Sequence, residues 1–225
     1  VETRVTKAHL VAACRRSLRL DKHCIDQLSH QVLMLEHVFQ RAAEFDIVHF
    51  HVDYLHFPLS RREQLTHVTT LHGRLDIPDL VPLYHEFRDM PVVSISNCQR
   101  EPLPWANWQA TVYHGVPADM YQFRGEPGSY LAFLGRISPE KRVDRAIEIA
   151  KRVQIPLKIA AKVDRVVEAL EDAVEAVRRV PELSRKRCRE IFDQRFTAAR
   201  MARDYVQLYE RLIKSKRPKI LEACA

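Results

Sequence analysis

The run LAFLGRISPEKRVDRAIEIA, Leu131 to Ala150, carries the residues best suited to chemistry. It reads as a strand ending at Gly135, with Arg136 in the turn and Lys141 in the first turns of a helix. That arrangement suits a diphosphate. A glycine lets the backbone approach closely, a helix start presents free N–H groups, and Arg and Lys add charge-assisted contacts. Taken alone, G-R-x4-K also describes two exposed basic residues at the start of a surface helix. His49, His51 and His56 form a second group, in FDIVHFHVDYLH. His49 and His51 alternate on a strand with no matching cysteine or acidic cluster, and a catalytic metal needs three convergent ligands, so no metal is expected. His72 closes the strand HVTTL; a histidine there is most often a structural hydrogen-bonding residue. Asp53 reads as a solvated strand-end carboxylate or as part of a ligand-facing edge, and Trp105 and Trp108 as packed aromatics or sugar-stacking platforms.

The elements that must position these residues follow from periodicity. Gln27 to Phe45 has a helical repeat, with Leu28, Val32, Leu35, Val38, Phe39 and Ala42 on one face. FDIVHFHV (Phe45–Val52), HVTTL (His67–Leu71), VVSIS (Val92–Ser96) and ATVYH (Ala110–His114) read as strands with helices or turns between them. Such alternation predicts a mostly parallel sheet covered on both faces. Met120 to Ser129, with Gly125, Pro127 and Gly128, reads as a domain linker. SYLAFLG then predicts a strand, Ser138 an N-cap, Pro139 a first helical turn, PEKRVDRAIEIAKRV an amphipathic helix and LKIAAKV a further strand. VVEALEDAVEAVRRV, SRKRCREIFDQRF and TAARMARDYVQLYERLIK read as helices. Two parallel strands cannot cover three helices or close a core, which makes the second half unusual.

The totals narrow the class. The chain has 225 residues, 46% hydrophobic, and charges interrupt every apolar run well short of the ~20 residues a membrane span needs. The opening VETRVTKAHLVAACRRSLRL has no continuous apolar centre, so it does not read as a signal peptide, and a cytoplasmic location is expected. Cys14, Cys24, Cys98, Cys188 and Cys224 are odd in number and form no C-x-x-C, which points to reduced thiols, mostly core filler. Net charge is +7, densest in RLIKSKRPK, which reads as a solvated tail, with a peripheral membrane contact as the alternative. A nucleic-acid partner is not expected, because no helix-turn-helix or aromatic platform stands out. Only five glycines occur, against the ~7% usage typical of proteins, which suggests that glycine-rich turns are lacking.

Several segments together are specific. GRISPEKRVDRAIEIAKR resembles the start of the donor-binding domain of family 4 glycosyltransferases. FDIVHFHVDYLHFPLSR, VTTLHGRLD, PVVSISNCQR and VYHGVPADMY resemble the acceptor-side domain of that family, in the family order. AVRRVPELSRKRCREIFDQRFTAARMARDYVQLYERL resembles its C-terminal helices, so the likeness runs to about Leu212. It implies a retaining enzyme of the GT-B type: an α/β chain with two Rossmann-like lobes and a ligand cleft between them. Residues 1–122 would form the acceptor-side lobe and residues 129–225 the remainder of the donor lobe plus C-terminal helices. The reaction implied is transfer of a sugar from a nucleotide sugar to an acceptor hydroxyl. The acceptor is open: a sugar, a lipid-linked sugar or a small molecule. The nucleotide sugar is a substrate, and no cofactor or metal is implied. Arg136 and Lys141 match the pair that holds the donor diphosphate, beside Gly135, and neutralises the leaving group. His72 matches a histidine near the transferring sugar, to be counted as catalytic; Gly73 would keep its loop close to the ligand. Gly115, in HGVP, matches the small residue of a cleft-facing loop, where the family more often has N-G-V.

The departures from the family matter as much. Its glutamate pair, E-x7-E, in a run like EPFGL…EAMACGTPV, is expected to hold the ribose and the donor sugar. Glu140 with Glu148 and Glu182 with Glu190 share the spacing but lie in charged helices without that glycine-rich context, so neither pair is assigned the role. A deletion is expected near Arg165 and Val166, and the first strand region of the family is expected to be lacking before VETRVTKAHL. The alternative reading is therefore a catalytically inactive remnant of the fold that acts at most as a binding module.

Overall fold

A computed structural model describes residues 9–12, 23–126, 128–137, 141–163 and 184–216. Contacts divide the chain into two units, residues 1–117 with 196–225, and residues 118–195.

In the first unit, β1 (Val48–Phe50), β2 (His67–Thr70), β3 (Val92–Ser94) and β4 (Trp108–Thr111) form a parallel sheet in the order β1-β2-β3-β4. The helices α1 (Gln27–Arg41), α2 (Phe57–Arg62) and α3 (Leu80–Glu86) occur between and before these strands. Alternate strand residues feed two cores, as the two-residue period of a strand requires. Val92 packs with Phe57, Leu71, Leu75, Tyr84, Met90 and Leu103 on the face covered by α2 and α3. Val68, Val93 and Val112 pack on the other face against Leu208, which lies on the long last helix α6 (Ala198–Lys216). All four residues of β2 are buried, as befits a strand covered on both faces. The fold is thus α/β around a parallel sheet, with the final helix returning to the sheet of the first unit.

His56 belongs to this scaffold. Its Nδ1 is 2.8 Å from Ser60 Oγ and its Nε2 is 2.7 Å from Thr69 Oγ1, and its ring stacks on Phe50 with centroids 3.6 Å apart. Burial pushes its pKa down to about 2, so it is neutral. The α1 face is less complete than its period predicts. Leu35 is buried and Phe39 stacks on Phe50, but Leu28 and Val32, nearer the start of the helix, are exposed. The helix starts where Asp26 accepts a hydrogen bond from the Leu28 N–H at 2.8 Å.

In the second unit, β5 (Leu131–Ile137) pairs in parallel with β6 (Leu157–Val163), and α4 (Val143–Val153) buries Val143, Ile149 and Ala150. The helix α5 (Arg185–Arg195) follows. Two expectations need correcting here. β5 does not end at Gly135: the ladder continues through Gly135↔Ala161 and Arg136↔Lys162 to Ile137↔Val163. Gly135 has no positive φ, so nothing in its backbone forces a turn. Lys141 does not lie in the helix either. Arg142 adopts a left-handed conformation, φ 50°, and α4 begins only at Val143. The expected cap and first turn, Ser138 and Pro139, lie outside the described residues, as do the join near Arg165 and Val166 and the helix VVEALEDAVEAVRRV. The two-stranded sheet leaves Leu134 81% exposed and Ile159 43% exposed, in keeping with a pair of strands that cannot cover its own faces. Among the described cysteines, Cys98 and Cys188 are exposed and Cys24 is half-buried, so none of the three is core filler. No helix among the described residues is long and apolar enough to cross a membrane.

Candidate functional site

In a parallel sheet every strand ends on the same edge, and the loops beyond those ends converge; open α/β folds place ligands there. In the first unit that edge carries histidines. His51 follows β1, His72 lies two residues past β2, and His114 lies three past β4. All three are exposed. The Nδ1 of His51 is 2.8 Å from the Nε2 of His72. The rings of His72 and His114 stack nearly parallel, 4° apart, with centroids at 5.4 Å. Partial burial among these neighbours is the main reason the pKa of His51 and of His72 falls below the ordinary histidine value; for His72 the nearby His114 adds to it and the charge of Asp53 opposes it. Both imidazoles are therefore neutral at pH 7, and a neutral ring keeps one nitrogen able to accept a proton or a hydroxyl hydrogen.

The loop that holds His72 is fastened by a residue with no signal in the sequence. Gln99 donates from Nε2 to the carbonyl oxygens of Leu71 and Gly73, each at 3.0 Å, and accepts from the Ile95 N–H at 2.8 Å. It brackets His72 on both sides and ties the loop after β2 to the loop after β3. Only its own type, an amide among polar neighbours in SNCQR, could have hinted at this.

Beneath the rim lies a polar network. His49 Nδ1 is 2.6 Å from the Tyr209 hydroxyl, His49 Nε2 is 2.8 Å from Thr70 Oγ1, and Thr70 Oγ1 is 2.8 Å from the Tyr205 hydroxyl. Burial, reinforced by His51 and His72, drives His49 down to about 3, and burial raises Tyr209 to about 12. His49 thus joins β1 and β2 to α6 as a neutral, fully hydrogen-bonded ring. His49, His51 and His56 therefore divide among three tasks, and no group of three His, Cys, Asp or Glu side chains among the described residues could hold a metal ion.

The chain matches no protein-family model and no curated protein. What can be said of the remaining candidates rests on their geometry. Gly73 sits at the rim with open space around it, since a Cβ there would meet nothing within 4 Å. Gly115 is the opposite. Its backbone lies against residues 197 and 198, and Val116 bridges Thr197 in parallel, with Val116 N–H to Phe196 O at 3.0 Å and Ala198 N–H to Val116 O at 2.9 Å. Asp53, with φ 49°, lies in the loop after β1, where its charge is felt at His72. Trp105 stacks on His85 with centroids 3.8 Å apart, and Trp108 donates from Nε1 to Leu103 O at 2.8 Å. Trp105 precedes β4 and Trp108 opens it, so both lie toward its amino end, away from the histidine rim. In the second unit Gly135 and Arg136 occupy β5, and Lys141 is exposed just before α4. Glu148 pairs with Arg152 at 2.7 Å and Glu190 with Arg187 at 3.1 Å, as surface helix pairs do.

Proposed function

We propose that this chain is of the family 4 glycosyltransferase type, built on two Rossmann-like lobes, and that it derives from an enzyme moving a sugar from a nucleotide sugar to an acceptor hydroxyl with retention. The observation that carries the reading is His72: an exposed, neutral imidazole at the carboxyl edge of a parallel sheet, in the loop TLHG that resembles the family's acceptor side. A ring in that state can accept the hydrogen of an incoming hydroxyl, which is the task an acceptor site sets. Gly135, Arg136 and Lys141 would supply the diphosphate contacts, with the two cations offsetting charge as the sugar–phosphate bond breaks.

A second reading, an inactive remnant that binds nucleotide without turning it over, is favoured by the second unit. Its described sheet has two strands, and Glu148 and Glu190, the second member of each E-x7-E spacing, are held in helical ion pairs. A nucleotide-release assay over a panel of nucleotide sugars, run with wild type and His72→Ala, separates these readings. Release that falls at least about 100-fold in the variant, the range of a lost general acid–base group, supports the enzyme. Binding without release supports the remnant. Neither binding nor release by wild type overturns the family assignment.

A further inference from the structure

The pairing of His51 with His72 has a chemical consequence. Two neutral imidazoles 2.8 Å apart, nitrogen to nitrogen, share one hydrogen, so one ring donates and the other accepts. His51 meets this bond through Nδ1 and His72 through Nε2. His72 has no hydrogen bond at Nδ1 among the described residues, and the residue is exposed at the rim.

We propose that His51 is a positioning residue for His72: its Nδ1 accepts the Nε2–H of His72, which fixes the His72 tautomer and leaves His72 Nδ1 as a bare lone pair aimed at a substrate hydroxyl. The inference rests on the acceptor-side reading of His72 but concerns a residue to which that reading gives no task. The proton balance is simple. The hydroxyl O–H bond breaks and an N–H bond forms at His72 Nδ1, while the electron pair stays on oxygen and forms the bond to the sugar carbon as the sugar–phosphate bond breaks and its electron pair leaves on the nucleoside diphosphate. His72 becomes an imidazolium whose Nε2–H still donates to His51. His51 remains neutral throughout, carrying its own hydrogen on Nε2.

The surroundings fit this division of labour. The groups facing the pair are His49 and Asp53 from β1 and its loop, and His114 beyond β4, with Tyr205 and Tyr209 of α6 behind His49. The charge of a protonated His72 is itself one of the influences that keep His51 neutral, and Asp53 favours the charged form of His72. Burial and His114 disfavour a cation on both rings, and Asp53 partly offsets this at His72. The ring of His114 lies nearly parallel to that of His72, with centroids 5.4 Å apart.

The test is long-range 15N–1H NMR of the histidine rings in the full chain at neutral pH, assigned by single histidine variants, with no sugar nucleotide present. The expected result for wild type is His72 protonated at Nε2 and bare at Nδ1. His51→Asn should retain that tautomer, because the Asn carbonyl oxygen can take the place of Nδ1 as acceptor. His51→Phe should leave His72 as a mixture of tautomers and move its titration to lower pH, since its cation loses an acceptor. Protonation at Nδ1 in wild type, or the same tautomer in His51→Phe as in wild type, overturns the proposal. If His51→Phe does not fold, the wild-type tautomer decides. Failure of the transferase reading shows separately, as absence of both nucleotide binding and nucleotide release in a chain whose His72 tautomer is as expected.

Discussion

Gly115 lies directly on Thr197. A Cβ at 115 would sit well inside van der Waals contact with the Thr197 carbonyl oxygen, 2.7 Å from its carbon and 2.8 Å from Ala198 N. These neighbours are backbone atoms and cannot swing aside. The absent side chain is what lets the chain beyond β4 bridge the start of α6, and through it seat Leu208, Tyr205 and Tyr209 on the sheet. Gly115→Ala should therefore destabilise the first unit by about 1–3 kcal/mol, the range for overpacking a tight contact. Gly73→Ala should change stability by no more than about 0.5 kcal/mol, since its Cβ would meet open space at an ordinary φ. Urea unfolding of the two variants checks both values, and equal effects would contradict the contact.

Acid should unfold the first unit through its buried histidines. His49 is held at about 3 and His56 at about 2, while an unfolded histidine titrates near 6.5. Below pH ~6.5 the unfolded chain takes up a proton at each that the folded chain refuses, so stability is full above that pH and is lost as pH falls toward the folded values. Each contributes a slope of about 1.4 kcal/mol per pH unit across that window. His49→Gln should remove about one proton from the pH dependence of the unfolding free energy measured between pH 6 and 4. An unchanged slope would show that His49 titrates normally.

These relationships also mark what could be read from the chain. LKIAAKV, Leu157 to Val163, is β6 to the residue, because an apolar run after a clear helix end admits one period only. The parallel sheet and its covering were legible for the same reason. Gly135 misleads as a strand end, because a glycine commonly punctuates a turn and here sits inside a ladder with no special φ. The candidate site was legible in part. His72 and Asp53 stand out by type and place, but His51 gains its partner 21 residues away and His49 its partner 160 residues away. Local pattern cannot report contacts that the fold alone creates.

The two rim histidines should titrate as neighbours. His51 is pushed down first by burial and next by the charge of His72. In His72→Phe that charge is gone while a ring of similar size remains, so the His51 ring should titrate at higher pH than in wild type. NMR titration of the His51 ring nitrogens checks this. A fall, or no change, would show that the two rings are not electrostatically linked.

Turnover by this chain should be slight. Transfer needs the donor sugar held against the acceptor, and a misplacement of about 1 Å can cost ~100-fold. Glu148 and Glu190 are committed to helical ion pairs with Arg152 and Arg187, and nothing else in the sequence matches the glutamates expected to hold ribose and sugar. Nucleotide release should rise when a segment carrying such a pair is inserted between Arg165 and Val166. Equal rates with and without the segment would show that the reading of the second unit is wrong.

The central claim is that the run around Gly135 serves a diphosphate. Calorimetric titration of the whole chain with UDP, GDP and ADP, repeated with Arg136→Ala and Lys141→Ala, tests it most directly. The account predicts that at least one nucleoside diphosphate binds and that each variant weakens it by about 1.5–3 kcal/mol, the range for a lost charge-assisted hydrogen bond. No binding of any of the three by wild type, or the same affinity in both variants as in wild type, would contradict it.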